Sequence, residues 1–171
     1  MARLAVGVGW EVDPGDQPWS DFHWWKVPTK GVLVLVLIGK EPVYYVGHFV
    51  DGRMWPCLKE GCGMCDRGVG SQVRYVMAAA EISSKRIGIL EVGRQNGLQI
   101  RDWCVGRGGM TGLVLELEKH SHARTSRTEV KLIEKEVGPW PYHVKEVDLK
   151  RALLLTWKKA DMPVPRGLEG S

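Results

Sequence analysis

A chain of 171 residues, 44% of them hydrophobic, suffices for one domain with tails and is too apolar to remain disordered. Its formal net charge of +4 permits an anionic partner without requiring one. The start carries no secretory apolar region, and the longest apolar run, Val32 to Ile38, falls far short of the ~20 residues of a membrane helix. The expectation is a cytoplasmic protein (host-cell cytoplasm for a viral one) with no membrane partner.

Residues 1–22 contain Asp13-Pro14-Gly15-Asp16-Gln17-Pro18 and lack periodicity, which predicts a flexible N-terminal arm. Val32 to Ile38 is apolar on both faces and predicts a strand covered on both sides. Further strands are expected over 42–47, 72–78, 86–92, 112–119 and 126–133, separated by turn residues. In the last two, Leu113, Leu115 and Leu117 share one face, and Thr128, Val130 and Leu132 form a core-facing set opposite Arg127, Glu129 and Lys131. A short helix is expected from Leu98 to Cys104. A second is expected from Asp148 to Lys158, acidic at its start and basic at its end. About six strands with one intervening helix predict a small, mainly β barrel. The organisation expected is an arm (1–22), a barrel domain (23–137) with a cysteine loop (47–67), a C-terminal extension with a helix (138–162) and a disordered tail (163–171).

Three of the four cysteines form Cys57-x4-Cys62-x2-Cys65, with His48 upstream. Thiolates and an imidazole at such spacing are the ligands of a tetrahedral zinc ion, and a closed set of four stabilises a fold instead of doing chemistry. His48 is the first choice for the fourth ligand, Cys104 the second and His23 the third. The competing interpretation is three reduced thiols in a loop. No His-x-Glu precedes a Pro-Cys-x-x-Cys, no His-Glu-x-x-His occurs, and Gly106 to Gly109 lacks the Lys-Ser/Thr of a phosphate loop, so no enzymatic activity is expected.

Aromatic residues lie beside basic ones: Trp24 and Trp25 next to Lys26, Tyr44 and Tyr45 ahead of the cysteine loop, Trp55 near Arg53, and Tyr75 next to Arg74. Rings that stack on unpaired bases and cations that follow phosphates suit single-stranded nucleic acid. The alternative for each ring is burial, since large aromatics are mostly core. Lys119, Arg124, Arg127 and Lys131 span the last hairpin, either as phosphate contacts or as an ordinary solvated face.

The order of these motifs resembles the zinc-containing, helix-destabilising single-stranded DNA-binding proteins of tailed phages and related proteins of thermophile viruses and plasmids. The motifs are His23-Trp-Trp-Lys-Val-Pro28, His48 with the cysteines, Arg74-Tyr-Val-Met77, Ile87-Gly-Ile-Leu-Glu-Val92, Ile100-Arg-Asp and Gly112 to Lys119. The resemblance covers roughly residues 23–137. It implies an OB-fold barrel carrying one structural zinc per chain on His48, Cys57, Cys62 and Cys65. It also implies a groove for single-stranded DNA, with RNA as the alternative. Trp24, Trp25, Lys26, Tyr45, Arg53, Trp55, Arg74, Tyr75, Arg124, Arg127 and Lys131 are its candidate lining. The expected role is in replication, recombination or repair, with replication proteins as candidate partners. The cysteine spacing is tighter than the family's, and its acidic C-terminal segment has no counterpart in Pro163 to Ser171. A zinc-stabilised protein-interaction or RNA-binding adaptor is the alternative function.

Overall fold

The computed structural model describes residues 23–84, 86–121, 127–134 and 147–165. One antiparallel sheet contains seven strands: β1 (Val32–Leu37), β2 (Val43–Val50), β3 (Arg53–Pro56), β4 (Ser71–Glu81), β5 (Ile87–Gly93), β6 (Val114–Lys119) and β7 (Thr128–Ile133). Three helices accompany it: α1 (Gly63–Asp66), α2 (Arg94–Val105) and α3 (Leu149–Lys159).

The eleven-residue β4 organises the sheet. Along one edge it pairs with β2 through its first half and with β1 near its end; β5 pairs along the other edge. β1 also pairs with β6, and β6 with β7. The pairs β1–β4, β4–β5, β1–β6 and β6–β7, with α2 between β5 and β6, follow the connectivity of the five-stranded OB barrel. The β2–β3 hairpin and the cysteine loop are inserted between its first two strands. Among the described residues β5 and β7 share no ladder. Helix α2 spans that seam, where Asn96 Nδ2 donates to the Thr128 carbonyl at 3.0 Å and Arg127 donates to Gln95. The free edge of β5 is occupied in part by the segment before β1. Trp25 N–H donates to the Ile89 carbonyl at 2.8 Å, and Ile89 N–H to that of His23 at 2.7 Å.

Alternation on the strands produces two apolar clusters, one on each side of the sheet. The barrel interior holds Leu33, Leu35, Leu37, Met77, Ala79, Leu90, Leu115 and Leu117, closed by Ile100 of α2. The outer face presents Val36, Val76, Ala78, Ala80, Ile89 and Val114, covered by Leu149, Ala152, Leu153 and Trp157 of α3. Each large apolar side chain so buried contributes roughly 1.5–3 kcal/mol. This explains why β1 is apolar on both faces. Asp148 starts α3 by accepting the Arg151 N–H at 3.0 Å, and Lys158 and Lys159 close its last turn.

The expected mainly β architecture, a small barrel with an inserted cysteine loop, one internal helix and a C-terminal helix, is the one observed. The details differ in three places, the first being α1, a single turn around Cys65 that the expected organisation did not include. β3 was not among the expected strands because Arg53-Met-Trp-Pro56 is short and ends in proline. It exists because Asp51 and Gly52, with φ of 50° and 76°, form the tight turn that Asp-Gly favours. Helix α2 begins at Arg94, four residues ahead of Leu98. Glycines at 93 and 97 conceal its first turn. Gly97 is required there: a Cβ would stand 2.1 Å from Cδ2 of Tyr75. The expected arm (1–22), Arg124, residues 138–146 and residues 166–171 lie outside the described residues.

Candidate metal centre and basic groove

The β2–β3 hairpin carries different chemistry on its two faces. His48 points to one side of β2, while Tyr45, Gly47 and Phe49 share the other. His48 sits opposite Trp55 of β3, and Cys57 follows that strand immediately, its N–H donating to the Val46 carbonyl at 2.8 Å. The loop then returns through Cys62, which precedes α1, and Cys65 within it. Local hydrogen bonding holds this return: Asp66 N–H donates to the Cys62 carbonyl at 3.1 Å and Gly68 N–H to that of Cys65 at 2.9 Å.

These turns bring the four ligand atoms of His48, Cys57, Cys62 and Cys65 within 4.8 Å of one another. His48 Nε2 lies 3.5 Å from Sγ of both Cys62 and Cys65, and Cys57 Sγ lies 3.6 Å from Cys65 Sγ. A tetrahedral ion bonded at ~2.3 Å to sulfur and ~2.0–2.1 Å to nitrogen places sulfurs ~3.8 Å apart and sulfur ~3.5 Å from nitrogen. The donor set can therefore hold a metal ion and is compatible with one structural zinc. His48 Nδ1 donates toward the carbonyls of Val69 and Gly70, each at 3.1 Å, which leaves Nε2 as the ligand nitrogen. Burial, the largest single influence, lowers the proton affinity of His48, but hydrogen bonds with Cys57, the Gly70 carbonyl and Cys62 together outweigh it and the net shift is upward. Backbone N–H groups of Cys65 and Leu58 directed at Cys62 bring its thiol down to about 6. Cys65 is pushed up to about 11, chiefly by its hydrogen bond with Cys57. Metal binding displaces these shared protons. Cys104 is half-buried on α2 against the barrel interior, where burial raises its thiol pKa. His23 packs edge-on against Trp25 at 4.4 Å. Neither joins the cluster.

On the opposite side of the hairpin an open groove of about 1050 Å³ crosses the barrel. One wall is Phe49, Arg53 and Met54 from the inserted hairpin. The floor includes Gln72 and Arg74 of β4 and Glu91 and Gly93 of β5. The first turn of α2, Arg94 to Asn96, and the facing ends of β6 and β7, with Lys119, Arg127 and Thr128, complete it. Five cations and two carboxylates, Asp51 and Glu91, line this surface. Phe49 is an exposed ring, 54% accessible.

Of the residues singled out in the sequence, Arg53, Arg74, Lys119 and Arg127 line the groove. The aromatics lie elsewhere. Trp25 packs on the barrel interior and donates Nε1–H to the Ala79 carbonyl at 2.9 Å. Trp24 packs on the outer cluster, and Tyr75 lies against the interior beneath Gly97. Tyr45 is buried under α3, edge-on to Trp157 at 5.1 Å. Trp55 is half-buried on β3, Lys26 is exposed outside the groove, and Lys131 lies 3.8 Å from Glu118. Sequence reasoning did not select Phe49, Gln72, Arg94 or Asn96 for the groove. For Phe49 the available signal was its place between the candidate ligand His48 and the Asp-Gly turn, on the face opposite His48.

Comparisons of the chain with models of known protein families, with curated proteins and with solved structures give no match. No helix among the described residues is long and apolar enough to cross a membrane. Fold and site chemistry are therefore what bear on function.

Proposed function

We propose that this chain is a sequence-tolerant single-stranded DNA-binding protein of replication, recombination or repair, with one structural zinc per chain. The observation that carries this reading is the position of the groove. OB barrels bind oligonucleotides on the face of their second and third strands, between the loop joining strands one and two and the loop joining strands four and five. Here those strands are β4 and β5. The first loop is the insertion bearing Phe49 and Arg53, and the second joins Lys119 to Arg127. Arg53, Arg94, Lys119 and Arg127 suit phosphates, and the exposed Phe49 ring suits an unpaired base, at roughly 1–3 kcal/mol per stacked base. A soft donor set of three thiolates and one imidazole favours zinc, and four donors leave no open coordination position. The zinc then holds the loop and has no catalytic role.

The test is fluorescence anisotropy of a labelled oligo-dT at low salt, since the described tryptophans lie outside the groove lining. Saturable binding of oligo-dT, weakened by Phe49→Ala and not reproduced by a duplex, is the expected outcome. No anisotropy change at any protein concentration refutes the reading. Oligo-rU binding more tightly than oligo-dT transfers it to RNA. Elemental analysis should find about one zinc per chain.

A further inference from the structure

A carboxylate on the floor of a groove for a polyanion requires an explanation. Glu91 occupies that position, and both its oxygens are engaged. Arg74 Nε donates to Oε1 at 2.8 Å, and Tyr45 Oη donates to Oε2 at 3.1 Å. Tyr45 lies opposite Arg74 in the β2–β4 ladder, and Trp157 fixes its ring from below. Across the β4–β5 ladder Arg74 faces Gly93, where a Cβ would stand 3.2 Å from Nη1. The missing side chain lets the guanidinium extend over the β5 backbone. The Arg74 side chain retains 24% of its accessibility. The ion pair is locally neutral, so what it brings to the groove is a held planar group.

Resting on the single-strand reading above, we propose that the Arg74 guanidinium is a stacking platform for an unpaired nucleobase and that Glu91 and Tyr45 are its positioning residues. A guanidinium plane accepts a base face irrespective of sequence. Holding it in advance removes the rotamer entropy that a free arginine loses on binding. Glu91 therefore favours binding of an anionic strand although its own charge opposes it.

Substitutions separate this role from simple charge. By charge alone, Glu91→Ala and Glu91→Gln both tighten oligo-dT binding. By positioning, Glu91→Ala weakens it about five- to tenfold, the lower range for one stacked base. Glu91→Gln, whose amide can still accept from Arg74 and donate to Tyr45, binds at least as tightly as the wild type. Arg74→Lys keeps the charge without the plane and should lose as much affinity as Arg74→Ala. The measurement is oligo-dT anisotropy on zinc-loaded protein, with thermal unfolding of each variant alongside. Should Glu91→Ala fail to fold, Arg74→Lys decides alone. Tighter binding by both Glu91 variants, or wild-type affinity in Arg74→Lys, overturns the platform and leaves the single-strand reading standing. A wild type that binds no oligonucleotide overturns both.

Discussion

Among single residues, Gly97 and Tyr45 are held by opposite kinds of constraint, one steric and one electrostatic. Alanine at 97 gains up to ~1 kcal/mol in helix propensity. Its methyl group meets the Tyr75 ring at 2.1 Å, an overpacking that costs roughly 1–3 kcal/mol. Gly97→Ala is expected to be net destabilising, seen as a lower urea midpoint. At Tyr45, burial and then the Glu91 charge raise the phenol pKa above its ordinary value of 10.0. The native state thus keeps a proton that the unfolded chain gives up, so this stability is complete below about pH 10 and falls as pH rises beyond it. Tyr45→Phe should cost about 1 kcal/mol at neutral pH for the lost hydrogen bond. The gap from wild type should then narrow above pH 10 in urea titrations. Residue by residue, the ligand set was legible in the sequence because metal ligands must have particular chemistry at short spacing. The groove aromatics were not. An aromatic beside a cation looks the same whether its ring faces the groove or, as with Trp25 and Tyr75, the barrel interior.

At the scale of elements, the β2–β3 hairpin couples the two candidate sites. His48 and Cys57 fasten its base, while Phe49, Arg53 and Met54 of the same strands form a groove wall. Neither apolar cluster contains a cysteine of the metal loop. Removing the metal, by chelation or by Cys62→Ser, should therefore loosen the hairpin while leaving the barrel folded. The expected outcome is retained far-UV circular dichroism, a lower melting temperature and weaker oligo-dT binding. Complete unfolding on chelation would place the metal in the barrel's own stability. Strands with clean alternation, such as 128–132, were legible because the apolar Val130 and Leu132 face the interior while Glu129 and Lys131 face away. β3 was not: four residues carry too little periodicity, and its existence depends on pairing with β2.

Across the whole molecule, a net charge of +4 understates the local field. Arg53, Arg74, Arg94, Lys119 and Arg127 line one groove against the two carboxylates Asp51 and Glu91, the latter paired with Arg74. If the four cations other than Arg74 meet phosphates, log K should fall with log salt at a slope of about −3. Oligo-dT titrations across a salt series measure it, and a slope near zero excludes phosphate recognition by this surface. The barrel class could be read from the count and spacing of strands. Its closure could not, because the β5–β7 seam is spanned by α2 through Asn96 and Thr128, 32 positions apart, and no local pattern encodes such a contact.

The insertion joins β4 of the barrel through main-chain hydrogen bonds, from Val43 opposite Val76 to His48 opposite Ser71. Backbone ladders are largely indifferent to side-chain identity, and the inserted unit brings its own fastening in the cysteine loop. Residues 46–70 thus form an exchangeable cassette, with Tyr45 left in place beneath α3. Replacing them with another hairpin closed by the same three cysteines and histidine would give the groove a different wall, and a different ligand preference, on an unchanged barrel.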